Sequence, residues 1–323
     1  MRLLLVVNSF ASSVTARNTV VVHQVLSQGH DVQIVETSRR GHATRFAQDA
    51  ASRGVDVVVA FGGDGTLNEI AAGIADSSTA LAVLPGGSTN VFARSIGLPN
   101  DPIAAARLLV LALKEGHIRR VGLGMVNGRY FCFHTGVGFD AAVVREVEKR
   151  ASVKRWMGHP LFIYAALRTW FSRYDRRHPH FSVEAPGRAP ALTDGYFTVV
   201  LNASPYTYLG NRPLDLSPYA TLDRGLVAIT FRSLRALPFL GALARTLRGR
   251  PIEASETVDE HHDLAELCIE STRPFPYQVD GDYLGETRRL RFQHRPEVMD
   301  LVFPLTGAPS DRGSGPGRRP AHL

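Results

Sequence analysis

The chain has 323 residues, 44% hydrophobic and 21% charged, with a formal net charge of +7; the length points to about two domains, and the balanced composition excludes a mainly disordered or fibrous protein. No apolar run reaches the ~18–20 residues of a membrane-spanning helix, and the run at 3–7 is too short for a signal-peptide core and leads into Asn8. Two cysteines, Cys132 and Cys268, allow neither a disulfide framework nor a cysteine zinc site, so a soluble cytoplasmic chain is expected.

The first third alternates strand and helix patterns. Residues 3–7 form an all-apolar run typical of a buried parallel strand. Helical spacing follows at 18–27, a strand at 30–35, a helix at 45–51, and a second apolar strand at 55–61. Residues 67–75 read as helix, 80–84 as strand and 102–113 as helix. This alternation predicts an α/β nucleotide-binding domain with a parallel sheet.

The texture changes near residue 122. Short β-rich runs appear at 121–126, 129–134, 180–184, 196–202, 226–231, 265–270, 277–279, 288–292 and 298–303. Turn pairs such as Asn127-Gly128, Asp194-Gly195 and Asp280-Gly281 punctuate them. Such a pattern predicts an antiparallel β-sandwich over 123–305, interrupted by helices at 141–150, 161–172 and 237–248. The Gly-, Pro- and Ser-rich stretch 306–323 is expected to be a disordered tail.

The sharpest feature is Gly62-Gly63-Asp64-Gly65-Thr66-Leu67-Asn68, at the end of the third strand. Open α/β sheets bind ligands at that carboxyl edge. Glycines permit a tight turn with bare N–H groups, and the helix start that follows favours phosphate. Asp64 would repel a bare phosphate, so it implies a bridging Mg²⁺ or a proton-handling role. A plain strand-to-helix turn capped by Asp64 or Thr66 explains the same residues. The chain lacks a P-loop or a correctly placed dinucleotide fingerprint.

The GGDGTLNEI run is followed by Leu84-Pro85-Gly86-Gly87-Ser88-Thr89-Asn90-Val91-Phe92-Ala93-Arg94. Together with Val7-Asn8, Glu36-Thr37, Gly41-His42-Ala43, Thr135-Gly136-Val137-Gly138-Phe139-Asp140 and Val279-Asp280-Gly281-Asp282, it resembles the catalytic domain shared by diacylglycerol, sphingosine and ceramide kinases. The soluble bacterial members are most similar.

The resemblance implies a lipid kinase using ATP and Mg²⁺. By motif position, Asn8, Thr37, Gly62, Gly63, Asp64, Gly65, Thr66, Asn68 and Ser88 would line the ATP site, with Asp64 acting through the nucleotide's Mg²⁺. Asp280 would take the proton from the lipid hydroxyl, so Asp280 and Asp64 are the expected catalytic pair. Gly136, Gly138, Asp140 and Asp282 would meet the lipid. The implied substrate is diacylglycerol or a related lipid, the implied location the inner face of the membrane, and a homodimer is a further expectation.

An Asp-Gly pair is also the preferred chemistry of a type I′ hairpin, so Asp280 has an ordinary structural explanation as well. Three positions depart from the family pattern. Asp282 replaces Glu, Val91 replaces an Asp common in bacterial relatives, and Arg224 replaces another. The last two belong to an accessory structural Mg²⁺ site in those relatives, which Val and Arg cannot ligate. Local pairing of Asp223 or Arg224 is expected instead.

Residues 149–178 are basic and aromatic, and Arg232, Arg235, Arg245, Arg248 and Arg250 follow without an acid between them. Docking on an anionic bilayer explains this pattern; so does a helix with an apolar core face and a solvated basic one. Nucleic acid fits less well, since the aromatics have helical spacing and no recognition motif appears. His261-His262-Asp263 reads as an exposed polar turn. Besides a lipid kinase, an NAD kinase-like enzyme and a silent lipid- or nucleotide-binding protein remain as alternatives; the β-rich second half and the paired Asp64 and Asp280 favour the first.

Overall fold

A computed structural model describes residues 1–149, 168–169, 174–175, 177–187, 191–235, 241 and 244–305. The tail at 306–323 and most of the basic stretch at 149–178 lie outside the described residues.

Four parallel strands open the chain: β1 (Arg2–Val7), β2 (Asp31–Glu36), β3 (Val57–Gly62) and β4 (Ala80–Pro85), in the order β4-β3-β1-β2. Every residue of β3 and β4 is buried, because helices cover the sheet. These are α1 (Ala16–Leu26), α2 (His42–Ser52), α3 (Asp64–Ile74), the single turn α4 (Val91–Ser95) and α5 (Pro102–Lys114). Local chemistry sets the starts. The Thr15 hydroxyl accepts from Asn18 N at 3.1 Å, and the Asp101 carboxylate accepts from Ala104 N at 2.6 Å, ahead of Pro102.

The second part contains β5 (Ile118–Val126), β6 (Arg129–Phe131), β7 (His134–Gly138), α6 (Phe139–Glu148), β8 (Phe181–Glu184), β9 (Leu192–Gly195), β10 (Phe197–Leu201), the pair β11 (Thr207–Leu209) and β12 (Arg212–Leu214), β13 (Leu226–Phe231), β14 (Val258–Leu264), β15 (Glu266–Val279) and β16 (Asp282–Val302). Its antiparallel run is β14-β13-β10-β7-β15-β16. Residues alternate between two cores along β10 and β13. Val199, Leu201, Ile229 and Phe231 face α6, whereas Val200 and Ala228 face Val137 and Val279.

The two parts are joined at β16. Leu301 pairs in parallel with Leu81 of β4, and Val298, Met299, Leu301 and Val302 enter the core of the first part. The expected class, a parallel α/β part followed by an antiparallel β part, is therefore present. Several details differ from the sequence expectation. The runs at 265–270 and 277–279 merge into β15 across a register shift between Glu270 and Phe275, and 288–292 merges with 298–303 into β16. His261-His262-Asp263 is not a turn but part of β14, where His261 Nε2 lies 2.9 Å from Asp259 and His262 Nδ1 2.9 Å from Asp263.

Candidate active site

The carboxyl ends of the parallel strands form one edge of the first part. Chain order reverses between β1 and β3, which is where open α/β sheets place their ligand crevice. Asn8 sits at that point. Its backbone N–H donates to Phe61 O at 2.9 Å, and its side-chain Nδ2 donates to Thr66 Oγ1 at 2.9 Å. Thr37, buried at the end of β2, extends the edge by donating its N–H to Val7 O.

The glycines after β3 and β4 have a packing reason to be glycine. A Cβ on Gly86 would stand 2.8 Å from Gly62 Cα, and one on Gly87 would stand 2.9 Å from Gly63 Cα. Two backbones thus run in contact, and Gly86 N donates to Gly62 O at 2.9 Å. Gly65 faces open space and is exposed, as is Ser88 on the neighbouring loop. The helix α3 starts at Asp64, one turn before Asn68, so both project from the same face.

Asp64 is partly buried. Its carboxylate accepts from Val91 N at 3.0 Å and Phe92 N at 3.1 Å, closing the start of α4. Burial raises its pKa, against those two N–H groups that lower it. Each oxygen keeps further acceptor capacity. Among the described residues no group of three or more His, Cys, Asp or Glu forms a metal cage. One hard carboxylate beside an open glycine turn suits an ion that arrives with phosphates and keeps water ligands.

Asp280 enters from the other side. Asp280 and Gly281 have φ of 48° and 86° and connect the paired residues Val279 and Asp282, which is the type I′ geometry that Asp-Gly favours. Its carboxylate is buried and accepts from three consecutive backbone N–H groups: Cys132 at 2.7 Å, Phe133 at 3.1 Å and His134 at 2.9 Å. A further donor is Asn68 Nδ2 at 2.5 Å, from the GGDGTLN run. Burial pushes Asp280 up to about 7 in spite of these donors. The buried Cys132 thiol is raised by burial first, then by the carboxylate of Asp280 and more weakly by that of Asp64. Both carboxylates thus act on the same buried thiol.

The remaining expected residues fall into two groups. Asp140 is buried in the first turn of α6, where its oxygens accept from Tyr206 OH and, at 2.7 Å, from Gln278 Nε2. Gly136 lies against it: a Cβ there would approach Asp140 Oδ2 to 1.6 Å, and one on Gly138 would meet Tyr174 OH at 2.5 Å. Both glycines on β7 thus make room for protein side chains. Asp282 is more exposed and binds Arg40 at 3.0 Å and Arg129 at 3.6 Å.

Arg224, one of the positions that depart from the family pattern, and its neighbour Asp223 both pair locally. Arg224 forms a two-pronged ion pair with Asp263, and Asp223 lies 3.7 Å from Arg119. Two arginines of the second basic segment are also engaged, Arg232 with Asp194 and Arg245 with Glu253.

Sequence reasoning missed Gln278, Tyr206, Arg40 and the N–H groups of 132–134. Backbone donors carry no residue signature. Gln278 had one usable signal, its place two residues before Asp280 at the end of a strand.

A glycine-lined α/β edge, joined through Asn68 to a buried carboxylate from a β-rich part, has the architecture of a phosphotransferase. The comparisons specify which kind. Residues 2–126 match the family model described as the diacylglycerol kinase catalytic domain. A probable lipid kinase YegS-like of Pseudomonas aeruginosa is 30% identical over 87% of this chain and 87% of that protein. A diacylglycerol kinase of Bacillus subtilis is 38% identical over 82% of this chain and 84% of that protein. A crystal structure of a putative diacylglycerol kinase from Bacillus anthracis shares the fold, with a TM-score of 0.73 at 24% identity, covering 94% of this chain and 96% of that one. The chain belongs to the diacylglycerol kinase catalytic-domain family of lipid kinases.

Proposed function

We propose that this chain transfers the γ-phosphoryl group of ATP to the hydroxyl of diacylglycerol or a related lipid, with Asp280 as the general base. The observation that carries this reading is the state of Asp280. Its carboxylate is buried, pushed up to about 7, and tied to the glycine-rich turn through Asn68. A base works best when its pKa lies near the working pH.

Phosphoryl transfer needs positioning and charge neutralisation more than covalent help from the protein. The edge formed by Asn8, Thr37, Gly62, Gly63, Gly65, Thr66 and Ser88 offers N–H and hydroxyl groups to the triphosphate. Asp64 would hold the nucleotide's Mg²⁺, which supplies charge neutralisation when bound. The lipid oxygen attacks the γ-phosphorus, its proton passes to Asp280, and the bond to ADP breaks. A carboxylate offers about four acceptor positions, and all are used: three by backbone donors, one by Asn68. Only the side chain can move aside, so the lipid hydroxyl reaches Asp280 where the Asn68 amide sits.

A substrate of this kind brings the chain to a bilayer surface, which its net charge of +7 favours when the lipids are anionic. Among the described residues no helix is long and apolar enough to cross a membrane. An NAD kinase of Archaeoglobus fulgidus in complex with ATP has a related fold, with a TM-score of 0.50 at 10% identity, so the acceptor must be tested directly. Full-length protein is incubated with γ-labelled ATP and either mixed-lipid vesicles or NAD. Label in the lipid fraction is expected, falling about 10²–10⁴-fold in Asp280→Asn. Label on NAD instead would refute the proposal.

A further inference from the structure

Behind Asp280 lies a set of buried polar groups that the transfer chemistry leaves unused. Gln278 is 0% exposed. Its Nε2 donates to Asp140 Oδ2 at 2.7 Å, and its Oε1 accepts from Gly281 N, also at 2.7 Å. Asp140 receives its second bond from Tyr206 OH. The Tyr206 ring packs on His134, with centroids 4.4 Å apart. His134 in turn grips Asp280 twice: its N–H donates to Asp280 Oδ1 at 2.9 Å, and its C=O accepts from Asp280 N at 2.9 Å. The groups close a ring that begins and ends at the turn carrying the base.

Three physical points give this ring a role. A glutamine amide inside a core is costly unless both ends are bonded, and here each end is. The Asp280-Gly281 turn has both residues at positive φ, and the bond from Gly281 N to Gln278 adds a brace within the turn itself, on the side that the bonds from 132–134 and Asn68 do not reach. The sequence also reserves space for the brace, because any side chain at Gly136 would collide with Asp140 and with Gln278, the latter at 2.7 Å.

We propose that Gln278, held by Asp140 and Tyr206, is a positioning residue that fixes the Asp280 carboxylate for phosphoryl transfer. Asp140 then acts through Gln278 and not on the lipid itself. This inference rests on Asp280 being the base.

The test exchanges donor and acceptor within the pair. Gln278→Glu sets a second carboxylate against Asp140 in place of a donor. In the double variant Asp140→Asn/Gln278→Glu, the new amide at 140 donates to the new carboxylate at 278. That carboxylate still accepts from Gly281 N, and Tyr206 OH still has an oxygen to donate to. Full-length proteins are assayed with ATP and diacylglycerol in mixed micelles, at a temperature where thermal melts show each folded, and rates are normalised to folded protein. Gln278→Glu and Gln278→Leu are expected to lower kcat about 10–100-fold, the size of a small misplacement of a reacting group, with KM for ATP within about twofold. The double variant is expected to return to within about threefold of wild type. A loss expressed in KM for ATP, or a double variant that fails to fold or is no faster than Gln278→Glu, overturns the inference.

Asp280→Asn run alongside separates the two readings. If it is inactive while the Gln278 variants keep the wild-type rate, the positioning role alone falls. If it keeps the wild-type rate, the base assignment falls and the positioning role with it.

Discussion

Asn68→Leu tests how the charge of Asp280 is controlled. Among the described residues Asn68 supplies the one side-chain donor to that carboxylate, at 2.5 Å. Hydrogen bonds to charged groups contribute ~1.5–3 kcal/mol, and ~1.4 kcal/mol corresponds to one pKa unit. Losing this bond therefore raises Asp280 by about 1–2 units. Leucine is close in volume and excludes water, so the burial that already raises Asp280 acts in the same direction. The group starts at about 7, which places the variant at about 8–9. The assay is kcat/KM for diacylglycerol from about pH 5.5 to about pH 9.5 at saturating ATP, where the acid limb reports the base of the free enzyme. The wild type should reach half its plateau near pH 7, and the variant only about one or two units higher. A limb unmoved by Asn68→Leu would refute both the role of this donor and the assignment of the limb to Asp280.

Stability should run against activity over the same pH range. The folded pKa of about 7 lies above the ordinary carboxylate value of 3.8, so between the two the folded chain keeps a proton that the unfolded chain has lost. Stability then falls as pH rises through that window and levels off above it. From pH 5 to pH 8 the Asp280 contribution is about 3 kcal/mol, seen as a steeper decline in urea-unfolding stability for wild type than for Asp280→Asn; parallel declines would contradict it. Gly87→Ala drives a Cβ to 2.9 Å from Gly63 Cα, which should cost about 1–3 kcal/mol and weaken ATP binding, read by melting temperature and calorimetry. Glu69 accepts from Gly41 N at 2.9 Å and Ala43 N at 3.1 Å at the start of α2. Glu69→Ala should lose about 2 kcal/mol, and a melting temperature equal to wild type would show that water replaces the carboxylate.

Much of the first part was legible because its signals are local. The all-apolar runs of β1, β3 and β4 announce buried parallel strands, and Asp101-Pro102 marks the start of α5. The start of α3 was not legible, since Gly and Asp are weak helix formers; the helix opens at Asp64 with Gly63 O accepting from Leu67 N, while the Asp64 side chain is bonded across the site to α4. The one-turn α4 is too short to show a period. In the second part, Asp280-Gly281 announced its hairpin correctly, but the length of β15 and β16 did not show. The gaps between the expected runs, at 271–276 and 293–297, hold Pro274, Pro276 and Pro296, which argue against a strand, yet Phe275 pairs with Thr287 and Arg295 with Leu123 inside the two strands. The candidate site divides along the same line. Its residues could be picked by motif, whereas the meeting of Asn68 with Asp280 depends on contacts 212 residues apart.

The return of β16 to the first sheet bears on how the chain is made. Leu81 has its outer neighbour only once Leu301 has been synthesised. An emerging polypeptide holding residues 1–122 therefore exposes a bare edge on β4, of the kind that invites aggregation until something covers it. The β4 edge is completed only after residues 298–302 have been synthesised. Late completion of this sort couples the halves, so they should melt together in one transition and be recovered poorly when expressed as fragments.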